Sequence, residues 1–407
     1  MYYGRHRGTK FLKIDLKEVQ KTLDRSEETV IVDHDLGETR KKIVGIILLN
    51  LGGPDSLRAI KPFLYNLFSD RNIIRLGPSF LQKPIAWFIS NIRSKKTEKM
   101  YSLIGGKSPI LDITFAQARA LENALNLPMQ PDNSPSSPLE KGGKGGFERG
   151  EYGEILFKVY VGMRYWYPYI EEVIPKIYND GIRRLIAISM YPHYSHATAG
   201  SSLARLEEVL SEYPIEVFYI TSWFNHPLYV EALIDVIKKG LDSFNLPTPP
   251  FNSPLSKGGH RGVKTSNSEP CVHVLFSAHN LPEALIKEGD PYVEQIQGTI
   301  GEIVKKLNIE WDLSFQSKSG PVKWLKPTTE ETIERFFDLG FKNILLVPIS
   351  FVSDHIETLY EIDILYKNIA KRLGIELKRV DSLNTHPLFI EALKDMVIKG
   401  LSEKGWI

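Results

Sequence analysis

Five runs of nearly continuous apolar residues recur along the chain, at Ile43–Leu49, Phe157–Val161, Leu185–Ile188, His273–Phe276 and Ile344–Val347. Runs of this kind, without polar alternation, read as strands buried on both faces. Stretches with apolar residues at helical spacing separate them. Strand and helix in alternation predict an α/β fold with parallel, doubly wound sheets and helices on both faces. Ligands of such sheets bind beyond the C-terminal strand ends, so the residues just after each strand carry the candidate chemistry.

Two repeats overlie this pattern. Segments 127–153 and 247–270 are rich in Pro, Gly, Ser, Asn and Lys and read as loop insertions. Pro138-Leu139-Glu140-Lys141-Gly142-Gly143 is echoed by Pro254-Leu255-Ser256-Lys257-Gly258-Gly259. A deeper repeat has an offset of 160 residues: His226-Pro227-Leu228-Tyr229-Val230-Glu231-Ala232-Leu233 returns as His386-Pro387-Leu388-Phe389-Ile390-Glu391-Ala392-Leu393. It continues through Asp235/Asp395 and Lys239-Gly240-Leu241/Lys399-Gly400-Leu401, each copy a helix with Pro in its first turn. The simplest account is two similar Rossmann-like domains with a cleft between them. The expected division is a charged extension at 1–42, a first domain at 43–222, a second at 223–383, and a C-terminal helix at 384–407 packing back on the first.

Composition narrows the function classes. The 407 residues are 42% apolar and 25% charged, with a net charge of +2, which argues against nucleic acid as a partner. Cys271 is the only cysteine, so an internal disulfide and an all-cysteine cluster are excluded. No signal-peptide core and no apolar stretch of spanning length is present, and a cytoplasmic location is expected. Gly52-Gly53 is too short for a phosphate loop, and no dinucleotide or Walker pattern occurs.

The predicted strand tips are rich in His, carboxylates and aromatics. His279 follows a buried strand directly, in a turn before Pro282, where a neutral imidazole can accept a proton or bind a metal. Asp354, Glu357 and Glu361 stand at i, i+3 and i+7 and would share one helix face, with His355 on another. Like charges at that spacing repel, so at least one carboxyl should have a raised pKa and the row could carry a cation or protons. Arg164 suits a carboxylate ligand, and Tyr165 and Trp166 suit a flat ring or the core. Arg93, Lys95 and Lys96 are further basic candidates. Residues 78–92, with Trp87 and Phe88, read either as a core helix or as an exposed apolar lip that receives a greasy substrate or touches a membrane.

These tips, taken in order, resemble the ferrochelatase family. The resemblance runs from about Gly45 to Leu401 and rests on Leu49-Asn50-Leu51-Gly52-Gly53-Pro54, Ile104-Gly105-Gly106-Lys107-Ser108-Pro109, Tyr191-Pro192-His193-Tyr194-Ser195 and Ser277-Ala278-His279-Asn280-Leu281-Pro282. Gly289-Asp290-Pro291-Tyr292, Gln316-Ser317-Lys318, Trp324-Leu325-Lys326-Pro327 and Ser353-Asp354-His355-Ile356-Glu357-Thr358-Leu359-Tyr360-Glu361 complete it. The resemblance implies insertion of Fe²⁺, as substrate, into a porphyrin during haem synthesis, with no tightly bound cofactor. It implies catalytic and metal-binding roles for His279 and Glu357, and a relay through Asp354, Glu361 and His355. It also implies porphyrin contacts from Arg164, Tyr165, Arg93, Ser108, Leu51, Trp324 and Phe351. Many relatives have Met at the position of Leu51, and users of coproporphyrin tend to have Tyr; Leu51 cannot ligate a metal. An iron–sulfur cluster, held in some relatives by a cysteine-rich tail, is not expected with one cysteine. A monomer is expected.

The expected mechanism clamps the ring in a bent shape that exposes its nitrogen lone pairs. His279 takes pyrrole protons or helps hold the metal, and Glu357 faces it across the ring. Two rival readings stay open: a cobalt chelatase of the same fold, and a carrier that binds haem or porphyrin without chemistry.

Overall fold

The computed structural model describes residues 42–127, 155–244, 272–318 and 322–407. The charged extension and nearly all of both loop insertions lie outside the described residues, as does the repeated Pro-Leu-x-Lys-Gly-Gly word.

The first sheet contains β1 (Lys42–Asn50), β2 (Ile155–Met163), β3 (Arg184–Ser189) and β4 (Glu216–Ile220). The second contains β5 (Val272–His279), β6 (Trp311–Gln316), β7 (Asn343–Pro348) and β8 (Glu376–Arg379). Every pairing is parallel, and the orders β2-β1-β3-β4 and β6-β5-β7-β8 are one topology used twice. The expected α/β class with two similar Rossmann-like sheets is what the chain adopts. The five apolar runs are β1, β2, β3, β5 and β7. Three further strands, β4, β6 and β8, are edge strands with mixed burial; polar residues hide β6 and β8 from an apolar-run reading, and β4 is a short, mostly half-buried segment.

The helices are α1 (Ile60–Ser69), α2 (Gln82–Ser102), α3 (Ile110–Asn126), α4 (Ile170–Asn179), α5 (Ser201–Leu210) and α6 (Pro227–Asp242). They continue with α7 (Glu283–Lys287), α8 (Tyr292–Val304), α9 (Thr329–Asp338), α10 (Lys367–Arg372) and α11 (Pro387–Glu403). Alternate residues of each central strand face opposite layers. Ile46 and Leu48 of β1 share one core with Val274 and Phe276 of β5, filled by α3, α6, α8 and α11. Ile47 and Leu49 point the other way, against α4 and α5, and Leu275 and Leu346 point outward against α9 and α10.

The repeated helices exchange partners. A Cβ added at Gly240 of α6 would lie 2.7 Å from Leu345 of β7, and one at Gly400 of α11 would lie 2.6 Å from Phe218 of β4. Each copy thus closes against the other sheet, and the repeated glycine leaves room for a side chain of that sheet. That contact accounts for a glycine inside a helix despite a cost of about 1 kcal/mol relative to alanine. His226 Nε2 meets Asp395 Oδ2 at 2.8 Å, and His386 Nε2 meets Asp235 Oδ2 at 2.8 Å. The two contacts are reciprocal, as a pseudo-twofold axis between the helices requires.

One open reading is decided here and one expectation changes. Residues 78–92 are not a core helix: they enter α2 with Phe80, Trp87, Phe88 and Ile92 each more than half exposed. The acidic segment is a π-helix over Glu357–Tyr366 rather than an α-helix, and it follows β7. Its counterpart after β3 is a shorter π-helix, His196–Gly200.

Candidate active site

A cleft opens at the C-terminal ends of the strands. The first half lines it with Asn50, Leu51, Leu67, Ile73, Ile110, Met190, Tyr191, His193, Ala197 and Thr198. The second half adds His279, Leu281, Tyr292, Trp324, Phe351, His355 and Glu357, among others, and the empty volume, open solvent included, is about 1060 Å³. A mostly apolar wall with a few convergent polar groups suits a large, flat, greasy ligand.

His279 ends β5, and its backbone N–H donates to Ser350 Oγ at 2.9 Å. Tyr292 Oη donates to the His279 carbonyl at 3.1 Å, which fixes the turn from the opposite side. Glu357 opens the π-helix, and its Oε2 lies 2.9 Å from His279 Nδ1. The His279 side chain is 34% exposed and that of Glu357 15%, and both line the cleft, with the imidazole the more open of the two. This corrects the expected arrangement. At hydrogen-bonding distance the two residues form one wall, and no ring fits between them.

Ser317 joins a second carboxylate to the pair. Its Oγ lies 2.7 Å from Glu357 Oε2 and also donates to Glu361 Oε2. Gln316 Nε2 donates to the Glu357 carbonyl at 3.2 Å. Ser317 has φ of 71°, in the left-handed region that a residue with a side chain rarely adopts. Strain of this kind persists where the surroundings over-determine it, and it clusters at active sites.

The charges are sorted by these contacts. Burial disfavours the ionised form of Glu357, but the charge and hydrogen bond of His279, then His355 and Ser317, outweigh it and hold its pKa well below the usual carboxylate range. Burial and the charge of Glu357 push Glu361 up to about 7. Burial works against protonation of His279, but Glu357 and then Glu361 raise its pKa above 6.5. His355 is different: burial lowers it, its Nδ1 lies 3.0 Å from the Ser353 carbonyl, and its Nε2 is 4.0 Å from Glu357 Oε1.

Other expected residues take other places. Asp354 does not join the acidic row. It precedes the π-helix and its carboxylate is taken by Arg379, Ser382, Asn384 and Thr358. Arg164 Nη2 pairs with Asp70 Oδ2 at 2.7 Å, so this guanidinium already grips a carboxylate of its own chain. Tyr165 is buried, with its hydroxyl 2.8 Å from the same Asp70 oxygen and 2.9 Å from Ser201 Oγ. Trp166 is packed beside it in the core formed with α1 and α2. Ser108 is buried under Gly53, where a Cβ would come within 2.5 Å of its Oγ. Arg93, Arg164, Tyr165 and Ser108 are outside the cleft lining, whereas Leu51, Trp324 and Phe351 belong to it. Arg93 Cζ lies 5.3 Å from the Phe68 ring centre, and its charge and that of Glu361 attract. Sequence reasoning missed Asp70, Ser317 and Ser350. Ser317 lies in the Gln316-Ser317-Lys318 tip and could have been found by its strand-end position; Asp70 carries no local signal.

Fold and site together define a two-sheet α/β enzyme with a histidine–carboxylate pair at the edge of an apolar cleft. A family model described as Ferrochelatase matches residues 43–136 and 148–401. The ferrochelatase of Geotalea daltonii is 44% identical over 361 residues, covering 87% of this chain and 98% of that protein. That of Synechocystis sp. is 42% identical over 368 residues, covering 88% and 83%. SirB from Bacillus subtilis, solved with Fe³⁺, overlays with a TM-score of 0.47 at 11% identity, covering 89% of this chain and 98% of that one. The chain belongs to the ferrochelatase family. It is a lyase that inserts iron into a porphyrin in haem synthesis.

Proposed function

We propose that His279 and Glu357 are the insertion site, with Fe²⁺ as substrate and protoporphyrin as the preferred ring. The observation that carries this reading is the 2.9 Å contact between His279 Nδ1 and Glu357 Oε2 at the cleft wall. With Nδ1–H committed to the carboxylate, the neutral imidazole turns its Nε2 lone pair toward the cleft. A carboxylate behind a histidine fixes that tautomer and raises its basicity. Nε2 can then take a proton from a pyrrole N–H, or hold the metal as its hydration shell is lost. The imidazolium that forms is stabilised by Glu357. The second pyrrole proton passes to Glu361, which shares the Ser317 hydroxyl with Glu357. Two N–H protons leave, and the ring dianion and Fe²⁺ neutralise each other. Asp354 has no part in this relay, because Arg379 holds it.

The preference for protoporphyrin is supported by the apolar wall and by Leu51, and by the exposed apolar residues Phe80, Trp87, Phe88 and Ile92. A ring with fewer carboxylates loses less hydration on entering such a cleft. The same residues support peripheral contact with a membrane, for a monomer otherwise located in the cytoplasm. Among the described residues no helix is long and apolar enough to cross a membrane.

The test is anaerobic turnover with Fe²⁺, followed by metalloporphyrin absorption, on protoporphyrin and coproporphyrin in parallel. Protoporphyrin should be the faster substrate. His279→Ala should lose at least about a hundredfold in rate, the scale of a removed general base, while ring binding by fluorescence quenching survives. Full turnover in that variant would sink the site. A higher rate on coproporphyrin would sink the substrate preference alone.

A further inference from the structure

The acidic segment holds four carboxylates within ten residues: Asp354, Glu357, Glu361 and Asp363. Two of them, Glu357 and Glu361, meet Ser317. The other two meet one guanidinium. Arg379, on the edge strand β8, places Nη1 3.1 Å from Asp354 Oδ1. Its Nε and Nη2 lie 3.1 and 2.8 Å from Asp363 Oδ2. Asp354 therefore anchors the segment before the π-helix, and Asp363 anchors it beyond Glu361.

The anchors are themselves held. Asp354 accepts from Ser382 Oγ at 2.8 Å, Asn384 Nδ2 at 2.9 Å and Thr358 Oγ1 at 3.0 Å, and its N–H donates to Asn384 Oδ1 at 3.0 Å. Gln117, from α3 of the first half, donates to Ser353 Oγ at 3.0 Å and to the Asn384 carbonyl at 2.8 Å. Lys367 also reaches Asp363, at 3.1 Å. The Arg379 side chain is 10% exposed, so its fork is largely removed from solvent competition.

A π-helix is uncommon beyond a single turn, and ten residues of it need support from outside the helix. An extended run of like charges adds repulsion. We propose that Arg379 is a positioning residue for iron insertion: by binding Asp354 and Asp363 together it fixes the rotation of the π-helix and so aims Glu357 and Glu361 at His279. The inference rests on the site reading above. It assigns Asp354 and Asp363 to alignment and leaves metal and proton handling to the two glutamates.

The experiment uses the whole chain and compares Arg379→Met, Arg379→Lys and Asp363→Asn with Arg205→Met. Arg205 is an ion-paired surface arginine on α5, and its loss should leave turnover unchanged. Arg379→Met should lower kcat about tenfold or more and raise the KM for Fe²⁺, while the Kd for porphyrin stays within about twofold. Arg379→Lys should restore only part of the loss, since an ammonium cannot span both carboxylates in the fork geometry. A folded Arg379→Met enzyme with unchanged kcat and metal KM overturns the proposal. If that variant does not fold, Asp363→Asn decides, with kcat expected to fall and unchanged kinetics counting against the proposal. Normal turnover in Glu357→Gln would instead overturn the site itself.

Discussion

At the scale of single residues, the pair and Glu361 fix a pH dependence. The imidazole must be neutral to accept a proton or bind metal, and its pKa is raised above 6.5 by the glutamates it faces. Glu361, raised to about 7, must be ionised to take the second proton. Both requirements fail on acidification, so kcat/KM should fall steeply below neutrality, approaching a slope of about two in a logarithmic plot. Glu361→Gln should reduce that slope to about one and slow turnover less than Glu357→Gln does. Glu357→Gln removes the main charge that raises His279, so its acid limb should move to lower pH. A stopped assay across pH 5.5 to 9, corrected for stability, measures all three profiles; an unmoved limb in Glu357→Gln contradicts the coupling. His279 was legible in sequence as the residue at the end of a buried strand, whereas Glu357, nine residues beyond β7, was singled out by the carboxylate row and the family resemblance. Asp354 was misplaced because the i, i+3, i+7 rule assumes an α-helix beginning before it. Arg164 and Tyr165 looked ready for a ligand because Asp70, which takes both, lies 94 and 95 residues away in the chain.

At the scale of elements, the central strands were legible, and of the edge strands only β2 was. β1, β3, β5 and β7 are buried on both faces and leave an apolar run; β8, Glu-Leu-Lys-Arg, leaves none and yet supplies Arg379. The repeat was legible down to its glycine, whose reason lies in tertiary packing. Leu345 is fully buried in β7, so making room for a side chain added at Gly240 disturbs its packing. Gly240→Val should therefore destabilise the protein by about 1–3 kcal/mol, the usual cost of overpacking. Chemical denaturation with an unchanged m-value would measure it. A neutral result would mean that α6 can move away from the second sheet.

At the scale of the molecule, the halves are tied by exchange of their closing helices, and the reciprocal His–Asp contacts mark that exchange. Asp395 has a depressed pKa: burial opposes ionisation, but Lys399 and His226 outweigh it. Asp235 is depressed by Lys239 and His386. Both carboxylates are more than a third exposed, so each contact is expected to contribute no more than about 1 kcal/mol after solvent screening. The sign of the pH effect follows from the depressed values. The contribution is fully present above the unfolded pKa of about 3.9 and is lost as pH falls through the still lower folded value. Asp395→Asn and Asp235→Asn should each be less stable than the parent at pH 7 and 5, by a margin that closes in stronger acid. Because the two contacts share both helices, the double variant should lose less than the sum of the single losses: once one contact is gone, the helices are already free to shift. Melting curves of the four proteins at pH 7, repeated at pH 5 and 3.5, measure both the margin and the coupling. Strict additivity would mean that each contact holds its own helix alone, and that the symmetry seen in the sequence no longer acts as a mechanical link between the halves.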